Sequence, residues 1–187
     1  VHPHASLPQY TTVENKPVEV FSKSGKQFLL GPYSIEEWLS CGVSVFVHEF
    51  GHNLGFTDLY DTDGSSDGLA SYSLMAYSWL YLGISTPSSF YQVGNLPQML
   101  DAFSRAQIGW ADVREVKGKM DIILPPSTDS SLVYKIGEGD EYFLLENRQE
   151  KSFDMKLGDK GLAVYAVNLK QIGVGNEWNP LVRLIPN

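Results

Sequence analysis

His48-Glu49-Phe50-Gly51-His52-Asn53-Leu54-Gly55-Phe56-Thr57-Asp58 is the stretch on which the reading of this chain turns. Histidines four residues apart lie about one helical turn apart on the same helix face, so His48 and His52 can reach one metal ion. Glu49, next to the first histidine, is then placed to polarise a metal-bound water. Gly55 tolerates the backbone angles of a sharp turn, and such a turn lets Asp58 come back as a third ligand. The stretch reads as a zinc site.

The rest of the chain sets the bounds. Its 187 residues suffice for one well-buried core, or a domain with a small appendage. Hydrophobic residues make up 43% and charged residues 19%, ordinary proportions for a globular protein. The net charge of −8 argues against nucleic acid or an anionic membrane surface as the main partner. Cys41 is the lone cysteine, which rules out an intrachain disulfide and a zinc site built from several thiolates. No apolar run approaches the roughly 18 residues of a membrane span. The chain starts at Val1 rather than Met, which suggests a processed or excerpted product.

Upstream of the motif, Val18–Phe21 and Gln27–Leu30 flank Ser24-Gly25 in the manner of a hairpin. His2 and His4 flank Pro3 and read as ordinary loop histidines. Ser34-Ile35-Glu36-Glu37 has the form of a capping box, and predicts a helix from about Ile35 to Leu54. Trp38, Leu39, Cys41, Val45 and Phe46 would then form an apolar collar around the two histidines.

Downstream, Asp61, Asp63 and Asp67 surround glycines in a short loop. Oxygen ligands at that spacing could hold calcium, and a solvated acidic turn is the other reading. Ser73-Leu74-Met75-Ala76-Tyr77 follows. A second helix is expected to open at Asn95-Leu96-Pro97-Gln98, with Leu96, Leu100, Phe103 and Ala106 on its apolar face and Gly109 at its end. Beyond Trp110 the pattern alternates, predicting strands near Met120–Leu124, Leu132–Ile136, Glu141–Glu146, Gly161–Val167 and Leu181–Ile185. Pro125-Pro126 is the best internal linker. The expected organisation is a zinc-binding part over residues 1–124 and a β-rich part over 125–187 packed on it.

The sequence His48-Glu49-x-x-His52-x-x-Gly55-x-x-Asp58, followed by Ser73-x-Met75-x-Tyr77, resembles the metzincin clan of zinc peptidases. The wider text is similar to one branch, the secreted bacterial peptidases of the immune inhibitor A type. It does so at Val1–Leu7, His48–Asp61, Phe103–Trp110, Tyr142–Gln149 and Gly161–Val167. Ala166 and Asn168 depart from it, standing where that family often has His and Asp.

The resemblance implies an α+β fold, with a metzincin-like active-site helix, a methionine turn at Met75 and a mainly antiparallel β C-terminal part. It implies His48, His52 and Asp58 as zinc ligands, Glu49 as general base, and Tyr77 as a contact to the zinc or the tetrahedral intermediate. It also implies protein or peptide substrates, a secreted location, and a catalytic domain here truncated at its N-terminus. The expected activity is zinc-dependent endopeptidase hydrolysis. A non-catalytic binding or surface module that keeps a metal-stabilised fold is the alternative, and a zinc hydrolase of a non-peptide bond is a third reading.

Overall fold

The computed structural model describes residues 4–6, 12, 13, 16, 17, 19–29, 31, 33–35, 42–77, 96–176 and 178–186. The fold is α+β, with few helices and mostly antiparallel sheets. In the first part β1 (His4–Ser6) pairs antiparallel with β6 (Tyr33–Ile35), and both pack against α1 (Val43–Asn53). Between them lie two small ribbons, β2 (Thr12–Val13) with β3 (Lys16–Pro17) and β4 (Glu19–Phe21) with β5 (Gln27–Leu29). The last is the expected hairpin.

The capping-box helix is corrected. Ser34 and Ile35 belong to a strand, paired with Ala5 and His4, and α1 starts only at Val43 after Gly42. Long-range ladder hydrogen bonds to β1 outweigh the local preference of Ser34 for a helix N-cap. Trp38, Leu39 and Cys41 lie outside the described residues, as does His2. Val45 is buried, whereas Phe46 is exposed, so the expected collar is one-sided.

The second helix is also shorter than expected. Asn95 is outside the described residues, Leu96–Leu100 are not helical, and α2 runs Ala102–Gln107. Asp101 caps it, its carboxylate accepting from Ser104 N at 2.9 Å and Ser104 Oγ at 2.8 Å. Phe103 is buried as expected, and Gly109, with φ +74°, lies just past the helix end.

The second part is a five-stranded sheet in the order β11-β10-β9-β8-β7. Its strands are β7 (Asp112–Glu115), β8 (Leu132–Ile136), β9 (Glu141–Arg148), β10 (Gly161–Asn168) and β11 (Val182–Leu184). Four of them were expected. No strand forms at Met120–Leu124, where Leu124 O accepts from the Asn147 side chain at 2.9 Å and Pro126 makes only an isolated bridge to Asn147. Prolines 125 and 126 lack the N–H groups a ladder would use. In its place β7 forms and pairs parallel with β8, against the antiparallel trend.

One hydrophobic cluster draws on both parts, with Phe56, Leu59, Met75 and Phe103 from the first and Val133, Leu144, Tyr165 and Val182 from the second. Beside it sits a buried ionic knot. Arg148, fully buried on β9, donates to Asp154 at 2.7 and 2.8 Å, to Glu146 at 3.2 Å and to the carbonyl of Tyr72 at 2.7 Å. Arg105 of α2, Ser127 and Tyr165 also donate to Glu146. Burial alone would raise the Glu146 carboxyl, but Arg148 and Arg105 hold it below its ordinary value. Through Tyr72 this knot is tied to the chain just before Ser73.

Candidate metal centre

Helix α1 ends at a Gly55 turn, and the turn builds the site. Phe56 N donates to Gly51 O at 3.1 Å and Gly55 N to His52 O at 2.9 Å, with Gly55 at φ +96°. This paired arrangement closes the helix with its glycine in the left-handed region. The chain reverses, and in the following extended segment Leu59 enters the core while Asp58 and Tyr60 remain only partly buried.

The imidazoles of His48 and His52 sit edge to face, with centroids 5.0 Å apart. Asp58 Oδ1 lies 3.2 Å from Nε2 of each. Each Nδ1 is held by a backbone carbonyl, His48 by Leu74 O and His52 by Phe56 O, both at 2.9 Å. A carbonyl only accepts, so each Nδ1 carries the proton and each neutral ring turns the lone pair of its Nε2 inward. Asp58 Oδ1 is buried and has no hydrogen-bond donor. In the neutral tautomer three electron-pair donors converge here, and imidazoles with a carboxylate are the donor set that suits zinc. Among the described residues this is the one group of His, Cys, Asp or Glu side chains close enough to share an ion.

Burial would raise the Asp58 carboxyl, but the imidazoles of His48 and His52 beside it hold it well below the usual carboxylate range, so Asp58 is the anion of the site. Burial would lower His52, and the Asp58 carboxylate with the Phe56 carbonyl raises it instead. Glu49 is half-buried, and its charge reaches the cluster, adding to the upward shifts of His52 and Tyr60.

A strap of residues 73–77 lies under α1. Met75 is fully buried, and its Sδ would stand 2.6 Å from a Cβ placed on Gly51. Glycine is what permits this approach. Gly51→Ala is expected to overpack the contact and lower stability by about 1–3 kcal/mol, less the gain of roughly 0.5–1 kcal/mol for replacing a helical glycine. In thermal denaturation the loss should shrink when Met75→Ala is added, because the pair shares one space. Met75 O accepts from Leu59 N at 2.7 Å, and Ser73 Oγ, which accepts from Met75 N, donates to Asp101 at 2.6 Å.

Tyr77, singled out in the sequence, donates its hydroxyl to Asp61 O at 2.9 Å. Tyr60 was missed. Its ring stacks on His48 with centroids 6.1 Å apart, and Tyr77 packs on it at 5.2 Å. Burial, then the Asp58 charge, pushes its pKa up to about 12. The available signal was alternation from Asp58 across the buried Leu59.

Asp61, Asp63 and Asp67 are not brought together as ligands. The Asp61 carboxylate accepts from Asp63 N at 3.1 Å, Ser65 Oγ at 2.9 Å and Ser66 N at 2.6 Å, while Asp63 accepts from Ser65 N at 2.9 Å. These are turn contacts, so calcium gains no support.

A helix that presents two histidines to a returning aspartate makes a cluster able to hold a metal ion. The family model for the immune inhibitor A peptidase M6 catalytic domain matches residues 2–111, and the chain belongs to that family. A search of curated proteins finds no match. The matched residues include the whole His48–Tyr77 site and end at Ala111, ahead of the five-stranded sheet. The stretches Tyr142–Gln149 and Gly161–Val167 fall beyond them. Membership makes the chain a metallopeptidase by family, with protein substrates implied. Among the described residues no helix is long and apolar enough to cross a membrane.

Proposed function

We propose that the protein is a secreted, zinc-dependent endopeptidase whose metal is held by His48, His52 and Asp58. The observation that carries this reading is the convergence of two Nε2 lone pairs on an Asp58 oxygen with no donor of its own. Zinc bound there would supply a Lewis acid that acidifies water and polarises a carbonyl oxygen.

The chain's own groups do the rest. Glu49, one residue from a ligand, takes the proton of the attacking water and returns it to the leaving amine. The Leu74 and Phe56 carbonyls keep both imidazoles in the tautomer that ligates. Met75 serves as the methionine turn of a metzincin, a floor beneath the ligands rather than a ligand, since a thioether is a poor match for zinc beside imidazole and carboxylate. Tyr77 is the proposed oxyanion donor, and for that its hydroxyl must leave the carbonyl of Asp61. A peptide would bind extended along the β4–β5 ribbon, whose side chains are exposed. The catalytic unit is taken as residues 1–124, with 125–187 as its β-rich companion.

The non-catalytic alternative is less well supported, because a purely structural metal site has no use for Glu49 beside His48. Asp58→Ala is expected to weaken zinc binding far more than Asp63→Ala in the neighbouring loop, as measured by competition with a chromogenic chelator. Equal losses would remove Asp58 from the ligand set. Zinc-loaded protein should degrade an unstructured substrate such as casein and stop when the metal is stripped.

A further inference from the structure

The two histidines of the site are held unequally. His52 Nδ1 meets Phe56 O, four residues on, in the turn that closes its own helix. His48 Nδ1 meets Leu74 O, 26 residues away on the strap, and the peptide that accepts it is itself held from behind. Leu74 C=O and Met75 N–H belong to one peptide unit, and a trans peptide points them in opposite directions. The C=O faces His48 at 2.9 Å, and the N–H donates to Ser73 Oγ at 3.0 Å. A serine hydroxyl two residues ahead of an N–H is well placed to accept from it. Ser73 Oγ donates in turn to Asp101 Oδ2 at 2.6 Å. Asp101 is anchored as the cap of α2, where Ser104 N donates to Oδ1 at 2.9 Å and Ser104 Oγ to Oδ2 at 2.8 Å. Ser73, Met75 and Asp101 are fully buried.

Resting on the zinc reading above, we infer that Asp101 and Ser73 are positioning residues for the His48 ligand, acting through the peptide between Leu74 and Met75. A carboxylate that accepts from a hydroxyl makes the hydroxyl oxygen a better acceptor, and an N–H bound there makes the carbonyl of its own peptide a better acceptor in turn. The chain ends on His48 Nδ1–H. It therefore fixes the plane of the imidazole and strengthens Nε2 as a ligand, the atom that lies 3.2 Å from Asp58 Oδ1. Burial keeps water from competing along the way. Metal-ligating histidines commonly give their far N–H to a carboxylate or to a backbone carbonyl. Here the carbonyl is the contact, and a carboxylate acts behind it across a serine and one peptide bond. Among the described residues no chain of this kind stands behind the Phe56 carbonyl, so His52 is the internal control.

Loss of such an outer partner typically costs about 10–100-fold in metal affinity. The test joins zinc affinity, from chelator competition, to the NMR resonances of the histidine Nδ1–H groups in metal-free protein at mildly alkaline pH, where both rings are neutral. Wild type is compared with Ser73→Ala and Asp101→Asn. Asparagine caps a helix as well as aspartate does. Its oxygen stays on Ser104 N, so its amide nitrogen faces Ser73 and cannot accept from it. Both variants should bind zinc about 10-fold or more weakly. In both, the His48 Nδ1–H resonance should move upfield and exchange faster with water, while that of His52 keeps its wild-type position. A general loosening of the fold would disturb both histidines alike. Asp101→Asn carries the test alone if Ser73→Ala does not fold. Wild-type affinity with an unmoved His48 resonance would overturn the inference and leave the zinc site intact, and equal shifts at His48 and His52 would overturn it as well. A wild-type protein that binds no zinc would overturn the zinc reading and this inference with it, a failure told apart from the others because the resonances are read without metal.

Discussion

Glu49→Gln should leave zinc content and thermal stability nearly unchanged while peptide hydrolysis falls by about 10²–10⁴-fold, the usual worth of general-base catalysis. Glutamine keeps the shape and volume of glutamate, so α1 and the ligands around it have no reason to move. It cannot take a proton from water. Glu49 is half-buried beside His48 and contributes charge to the cluster, so some change in zinc affinity is expected, but a small one. Single-turnover cleavage of a labelled peptide by both proteins, at matched zinc occupancy, measures the effect. If the variant hydrolyses peptides at the wild-type rate, Glu49 is not the base. If zinc-loaded wild type is as inactive as the variant, the binding-module reading replaces the enzyme.

The second large effect is one of stability. Arg148→Met removes a guanidinium that is fully buried and satisfied by Asp154, Glu146 and the Tyr72 carbonyl. Glu146 keeps Arg105, but Asp154, fully buried, is left with uncompensated charge, and breaking a buried pair in this way costs about 3–5 kcal/mol. For a chain of this size each kcal/mol lowers the melting temperature by about 2–4 °C. Lys151→Ala, which breaks the exposed pair with Asp129, should change stability by less than about 1 kcal/mol. The comparison is made by thermal and urea unfolding. A loss of under about 1 kcal/mol for Arg148→Met would show that the knot is not what joins the sheet to the chain ahead of Ser73. Because Tyr72 leads directly into the strap under α1, Arg148→Met should weaken zinc binding too.

What the sequence made legible was local. The His48–Asp58 spacing placed both histidines on one helix face, and Gly55 marked the helix end, because each depends on a few consecutive residues. Alternation showed β10, where Ala163, Tyr165 and Val167 are buried. Readings failed where distant partners decide. Ser34 and Ile35 have helix-start character, yet pairing with β1 draws them into a strand. Asp112–Glu115 is polar but for Val113 and exposed throughout, so nothing in its pattern announced β7, which exists through its parallel pairing with β8. Arg148, Glu146 and Asp154 look like surface charges in the text and become a buried knot only when the sheet packs on α2. Tyr60 was hidden for a smaller reason. The turn after Gly55 brings its phenol ring against His48.

The central claim is the metal centre, and anomalous diffraction at the zinc edge tests it most directly, on crystals of protein never exposed to chelator. One peak per chain is expected, bonded to Nε2 of His48, Nε2 of His52 and a carboxylate oxygen of Asp58, with none in the Asp61–Asp67 loop. A crystal with no transition metal at those three atoms, in protein supplied with zinc, would contradict the account.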